Sequence, residues 1–108
     1  MRYDIVLAPE AVEDLDDLKA SVRTAVRDAI EQHLRHEPTK TSKSRIKRLR
    51  GFSRPQYRLR VGADVRVFYD VTEKVVEVLA IVLKSEADAW LLKHGESDET
   101  DSFVGNQR

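Results

Sequence analysis

The sequence predicts an α+β domain: one antiparallel β-sheet, in the order β-α-α-β-β-β-β-α, with an N-terminal helical hairpin packed on one face. Three observations predict it. A short alternating run opens the chain, and two stretches of helical apolar spacing follow it. From residue 56 onward, three apolar or alternating runs are separated by turn-length polar breaks, which is the pattern of a meander.

Residues 2–7 (RYDIVL) read as the opening strand, with Tyr3, Ile5 and Leu7 on one face. Pro9 ends it and suits the first turn of a helix. Ala11, Leu15 and Leu18 recur at helical spacing, and Glu10, Glu13 and Asp14 sit in the first turns, where the helix dipole favours acids. Asp14, Asp16, Asp17 and Glu13 are expected on the solvated side. Ser21 resembles the N-cap of a second helix whose stripe is Val22, Ala25, Val26, Ala29, Ile30 and Leu34, and Pro38 closes it. Residues 39–44 (TKTSKS) make a loop. Residues 45–50 (RIKRLR) read as an irregular basic edge strand anchored by Ile46, and 51–55 as a second loop.

Residues 56–61 (QYRLRV) alternate cleanly, with Tyr57, Leu59 and Val61 facing one way and Arg58 and Arg60 the other. A turn at Gly62-Ala63-Asp64 leads to 65–71 (VRVFYDV), where Arg66 and Phe68 oppose Val65, Val67, Tyr69 and Val71. Residues 75–83 are apolar and β-branched enough for a central strand buried on both faces. Ser85 with Asp88 resembles a capping box opening a last helix that carries Ala87, Trp90 and Leu91, with Gly95 as its C-cap. Residues 1–95 are read as one domain, and 96–108 as a polar tail without fixed structure.

The 108 residues carry 19 Lys and Arg against 19 Asp and Glu, and no cysteine. Disulfides and cysteine-based zinc sites are therefore excluded, and a cytoplasmic setting is the default expectation. The longest apolar run has six residues, 78–83, too few to span a bilayer, and the N-terminus meets acids too soon for a signal peptide. The zero net charge hides a strong asymmetry. Residues 33–66 hold eleven bases (Arg35, Lys40, Lys43, Arg45, Lys47, Arg48, Arg50, Arg54, Arg58, Arg60 and Arg66) against only Glu37 and Asp64. Such a basic middle suggests a polyanion site, with a solvated charged surface as the bland alternative.

Arg58 and Arg60 leave the same face of one strand, and Arg66 can join them across the Gly62 turn. If the helical hairpin covers the other face, the three guanidiniums can clamp a phosphate. The chain has no GxSxG, P-loop or HExxH pattern. His33, His36 and Glu37 could at most share a metal, but helix-end histidines favoured by the dipole are the commoner explanation, so neither a metal site nor a cofactor is expected.

These runs together carry a resemblance. YDIVLAPEAVEDLDDL, AIEQHLRHEP, IKRLRG, QYRLRVGADVRVFYDV and VVEVLAIVLKSEADAWL make the chain similar to toxins of the RelE/ParE family over about residues 1–93. The resemblance implies a toxin neutralised by a cognate RelB-like antitoxin, with a heterotetramer as the assembly it suggests, and a sheet with two N-terminal helices. RelE-like members cut mRNA on the ribosome by 2′-hydroxyl attack, using basic residues on the sheet and a C-terminal tyrosine. Carried over by position, the basic set falls on Arg58, Arg60, Arg66 and Lys84. Ser85 follows Lys84 where arginine is frequent. The tyrosine has no counterpart; Trp90 or Leu91 takes its neighbourhood. Lys47, Arg48, Arg50, Arg54 and Trp90 complete the expected RNA contacts.

The reading that follows is a metal-independent endoribonuclease (mRNA interferase) inhibiting translation. Two alternatives stand beside it: a ParE-like protein that poisons DNA gyrase, and a catalytically weak toxin acting as corepressor with its antitoxin.

Overall fold

A computed structural model describes residues 1–97. The chain runs β1 (Asp4–Leu7), α1 (Pro9–Asp16), α2 (Ala20–Leu34), β2 (Ile46–Arg48), β3 (Phe52–Arg54), β4 (Tyr57–Val61), β5 (Val65–Thr72), β6 (Val75–Leu83), α3 (Lys84–His94) and β7 (Glu96–Ser97). Five strands form the main sheet in the order β1-β6-β5-β4-β2, and β3 pairs with β7 separately. The α+β class and the helical hairpin are as the sequence predicts.

The sheet is mixed rather than wholly antiparallel, because β1 runs parallel to β6. Alternation says which face a side chain takes and nothing about strand direction. Both helices and four strands separate β1 from β6 in the sequence, so no tight hairpin forces the pair antiparallel. Two further strands were not expected. β3 lies inside the segment read as a loop, and its partner Glu96–Ser97 falls where the tail was expected to begin. The remainder of that tail, 98–108, lies outside the described residues.

The core forms where the hairpin meets the sheet. Ala11 and Leu15 of α1 and Val26, Ile30 and Leu34 of α2 pack with Ile46, Leu59, Val65, Val67, Tyr69, Val76, Val78 and Ile81. These strand positions are the apolar halves of the alternating runs, so burying them drives the helices onto this face. Tyr69 is fully buried and donates its hydroxyl to the Pro38 carbonyl at 2.6 Å, which fastens the segment after α2 to the sheet.

The β5–β6 register slips between Phe68 and Tyr69, so Leu79 bulges out of the ladder. Beyond Leu7, β1 no longer lines β6. The Ile81 N–H on that edge is taken instead by the Asp14 carboxylate at 2.9 Å. Asp14 is thus a structural acceptor and does not belong to the solvated side of α1.

The helix starts also differ from expectation. Lys19 and Leu83 occupy the N-cap positions, neither with a side-chain cap bond, so Ser21 and Ser85 lie inside the first turns. Gly95 does cap α3, in extended conformation, with its N–H on the Leu91 carbonyl. A Cβ there would fall 2.6 Å from both that carbonyl and the Phe52 ring, so close approach demands the glycine.

Candidate nucleic-acid interface

In the β4–β5 ladder Arg58 stands opposite Phe68 and Arg60 opposite Arg66. Leu59, Val67 and Tyr69, between them, face the helical hairpin. The three arginines and Phe68 therefore share the far face. Their charges are close enough to act on one another. Burial first, then the charges of Arg66 and Arg60, push the Arg58 guanidinium below its ordinary pKa. Burial and then Arg60 lower Arg66, against a smaller opposing effect of Asp64.

Arg66 is only 7% exposed, yet its side-chain hydrogen bond goes to the neighbouring Val65 carbonyl, not to a carboxylate. Arg60 is exposed and donates Nε to the Gly62 carbonyl at 3.1 Å. Arg58 Nε is buried with no hydrogen-bond partner among the described residues. The ion pairs among the described residues involve Arg35, Lys40 and Arg54, and none reaches these three. A buried, unsatisfied guanidinium N–H is costly, and an incoming acceptor relieves that cost.

The last helix packs on this same face. Trp90 stacks on Phe68 with ring centroids 5.0 Å apart and planes 10° from parallel, and His94 tilts against Trp90 at 5.2 Å. One face of the indole is therefore already occupied within the protein, so packing on Phe68 is the role the structure shows for Trp90.

The other expected contacts divide. Lys47 pairs with Arg58 across β2–β4 and is exposed, so it extends the basic face. Arg48, one residue on, faces the hairpin side. It lies over the Tyr57 ring at 5.4 Å and donates to the Leu49 and Gln56 carbonyls. Arg50 is exposed in the turn before Gly51. Arg54 is engaged by acids: its Nε is 3.6 Å from Asp70 and its terminal nitrogen 3.5 Å from Glu77. Burial raises the Asp70 pKa, opposed by the Gln56 N–H and Arg54. Arg54 thus ties β3 to the acids of β5 and β6, and both Arg54 and Arg48 are engaged within the protein, away from the Arg58–Arg60–Arg66 cluster. Lys84 opens α3 at the surface, with its N–H on the Asp64 carbonyl at 2.7 Å.

The other two histidines stand elsewhere. His36 Nδ1 lies 3.0 Å from the Met1 carbonyl, and His33 lines a cleft at the end of α2. Among the described residues no three His, Cys, Asp or Glu side chains gather as a metal site, and no helix is long and apolar enough to cross a membrane.

Comparison with known proteins gives this geometry a setting. Residues 5–87 match the family model described as ParE toxin of type II toxin–antitoxin system, parDE. No curated protein matches the chain. Several solved structures share the fold. The RelBE2 toxin–antitoxin complex of Mycobacterium tuberculosis aligns with TM-score 0.66 at 21% identity, over 78% of this chain and 100% of that one. The RelB–RelE complex of Methanococcus jannaschii aligns with TM-score 0.61 at 20% identity, over 79% and 96%. The RelE–RelB complex of Pyrococcus horikoshii aligns with TM-score 0.58 at 28% identity, over 78% and 97%. The match over most of the chain, on a fold these toxins share, makes this protein a member of the RelE/ParE family of toxins of type II toxin–antitoxin systems.

Proposed function

We propose that this toxin is a ribosome-dependent endoribonuclease that cuts mRNA, inhibits translation in the cytoplasm and is held in check by a RelB-like antitoxin, in a heterotetramer. One observation carries the reading: Arg58, Arg60 and Arg66 share one face with no carboxylate paired to them among the described residues, and Arg58 Nε is buried without a partner. Folding concentrates like charge at its own cost only where something else is gained, and a sugar–phosphate chain is the matching ligand.

In the reaction, the 2′-hydroxyl oxygen attacks the adjacent phosphorus and the bond to the 5′-oxygen breaks, leaving a cyclic phosphate. The arginines, with Lys84 at the sheet's end, stabilise the extra negative charge of the pentavalent intermediate. The arginines stay charged and cannot accept the 2′ proton, which passes to water or to a group supplied by the ribosome, and the departing 5′-oxygen takes up a proton from the same source. Lys47 and Arg50 extend the grip along the strand.

A second reading has its own support, since the matching family model is described as ParE toxin. On that reading the basic face engages DNA gyrase. The two separate on induction in cells, with mRNA 5′ ends mapped on ribosomes and gyrase-linked DNA breaks counted in parallel. The nuclease predicts codon-phased cuts that vanish in Arg66→Ala. Intact mRNA with DNA breaks overturns it.

A further inference from the structure

Arg45 lies just before β2, and its carbonyl accepts the Arg60 N–H at 2.8 Å. Arg45 lines two separate depressions. One is shared with Ser44, Arg60 and Gly62. The other, a cleft of about 200 Å³, lies where the end of α2 meets the 39–44 loop, and His33, Glu37, Lys40, Thr41 and Ser42 help to line it. The Arg45 charge reaches into this cleft, since after burial it is the second influence lowering the His33 pKa. The arginine face and the His33 cleft therefore adjoin at one residue beside the β2 edge.

The cleft is furnished for an anion. Arg45 has no carboxylate partner among the described residues. The one acid lining the cleft, Glu37, is 3.7 Å from Lys40, so these two charges offset each other. Ser42 already accepts the Arg45 N–H at 3.0 Å, which holds the loop in place, and its hydroxyl hydrogen remains to be donated. The His33 ring, whose charged form is disfavoured by burial, offers an N–H beside the guanidinium.

Resting on the nucleic-acid reading above, we infer that the His33–Arg45 cleft is a second phosphate subsite, by which the RNA chain leaves the arginine face around the β2 edge. The two sites are sequential positions on one strand, so the cleft acts only on RNA long enough to reach it. Arg45 holds the loop through its backbone, and its exposed side chain can be removed without disturbing those bonds.

The test is fluorescence anisotropy of the purified full chain with a labelled trinucleotide and a labelled decanucleotide of the same base composition. Wild type binds the longer RNA more tightly. Arg45→Ala is expected to weaken decanucleotide binding about tenfold and to reduce its salt slope by about 0.7, the release expected for one phosphate contact on a single strand, with the trinucleotide unchanged. His33→Ala is expected to weaken the longer RNA alone. Equal effects on both lengths, or none on either, overturn the subsite while Arg60→Ala still reports on the main face. Loss of binding to an acidic peptide with decanucleotide affinity intact would assign the cleft to a protein partner and also overturn it. If wild type binds neither RNA, the arginine-face reading fails first and the subsite falls with it.

Discussion

Arg60 and Arg66 are direct cross-strand partners, two positive charges held opposite each other on one face of the sheet. Like charges so placed destabilise a sheet by up to about 1 kcal/mol. Replacing Arg60 with glutamine should therefore stabilise the fold by about 0.5 kcal/mol and raise Tm by a few degrees, while mRNA cleavage in cells is lost. Thermal unfolding at low and high salt checks this, because the gain should shrink as salt screens the pair.

Asp14 supplies the acceptor for the Ile81 N–H where β1 has ended. Asp14→Ala leaves that donor without its partner and should cost about 2 kcal/mol in urea unfolding. Asp14→Asn keeps an accepting oxygen and should recover much of the loss. Equal costs for the two would argue against the bond.

Trp90 stacks on Phe68 and is half-buried. Trp90→Ala should cost about 2 kcal/mol, below the usual cost for a fully buried aromatic. Trp90→Phe keeps a ring on Phe68 and should leave RNA affinity unchanged. A marked loss of affinity in the phenylalanine variant would restore Trp90 as a base contact.

His33 is held below its ordinary pKa, first by burial and then by Arg45. The unfolded chain thus binds the imidazole proton more readily than the folded one. The sign follows from linkage: stability is fully present above the unfolded value of about 6.5 and is lost as pH falls from there through the lower folded value. His33→Gln should flatten this part of the stability–pH curve, read by urea midpoints between neutral and mildly acidic pH.

Much of this was legible in the chain. The QYRLRV and VRVFYDV runs assign Arg58, Arg60 and Arg66 to one face because strand side chains alternate with period two, and the structure follows that alternation. The same rule separates Lys47 from Arg48: with Ile46 buried, Lys47 points away and Arg48 returns to the hairpin side. Other features lie beyond sequence pattern. The β3–β7 pair has three residues on one side and two on the other, too few to show a period. Arg54 meets Asp70 and Glu77 only after the chain folds back, and Asp14 meets Ile81 across 67 positions. The parallel direction of β1 leaves no trace in its alternation.

The central claim is that the guanidiniums of Arg58, Arg60 and Arg66 grip a phosphate backbone. Its most direct test is the salt dependence of single-stranded RNA binding, compared between wild type and the three single glutamine variants. The account predicts that each substitution lowers the slope of log affinity against log salt by about 0.7, the share of one phosphate contact. Slopes unchanged in all three variants would contradict it.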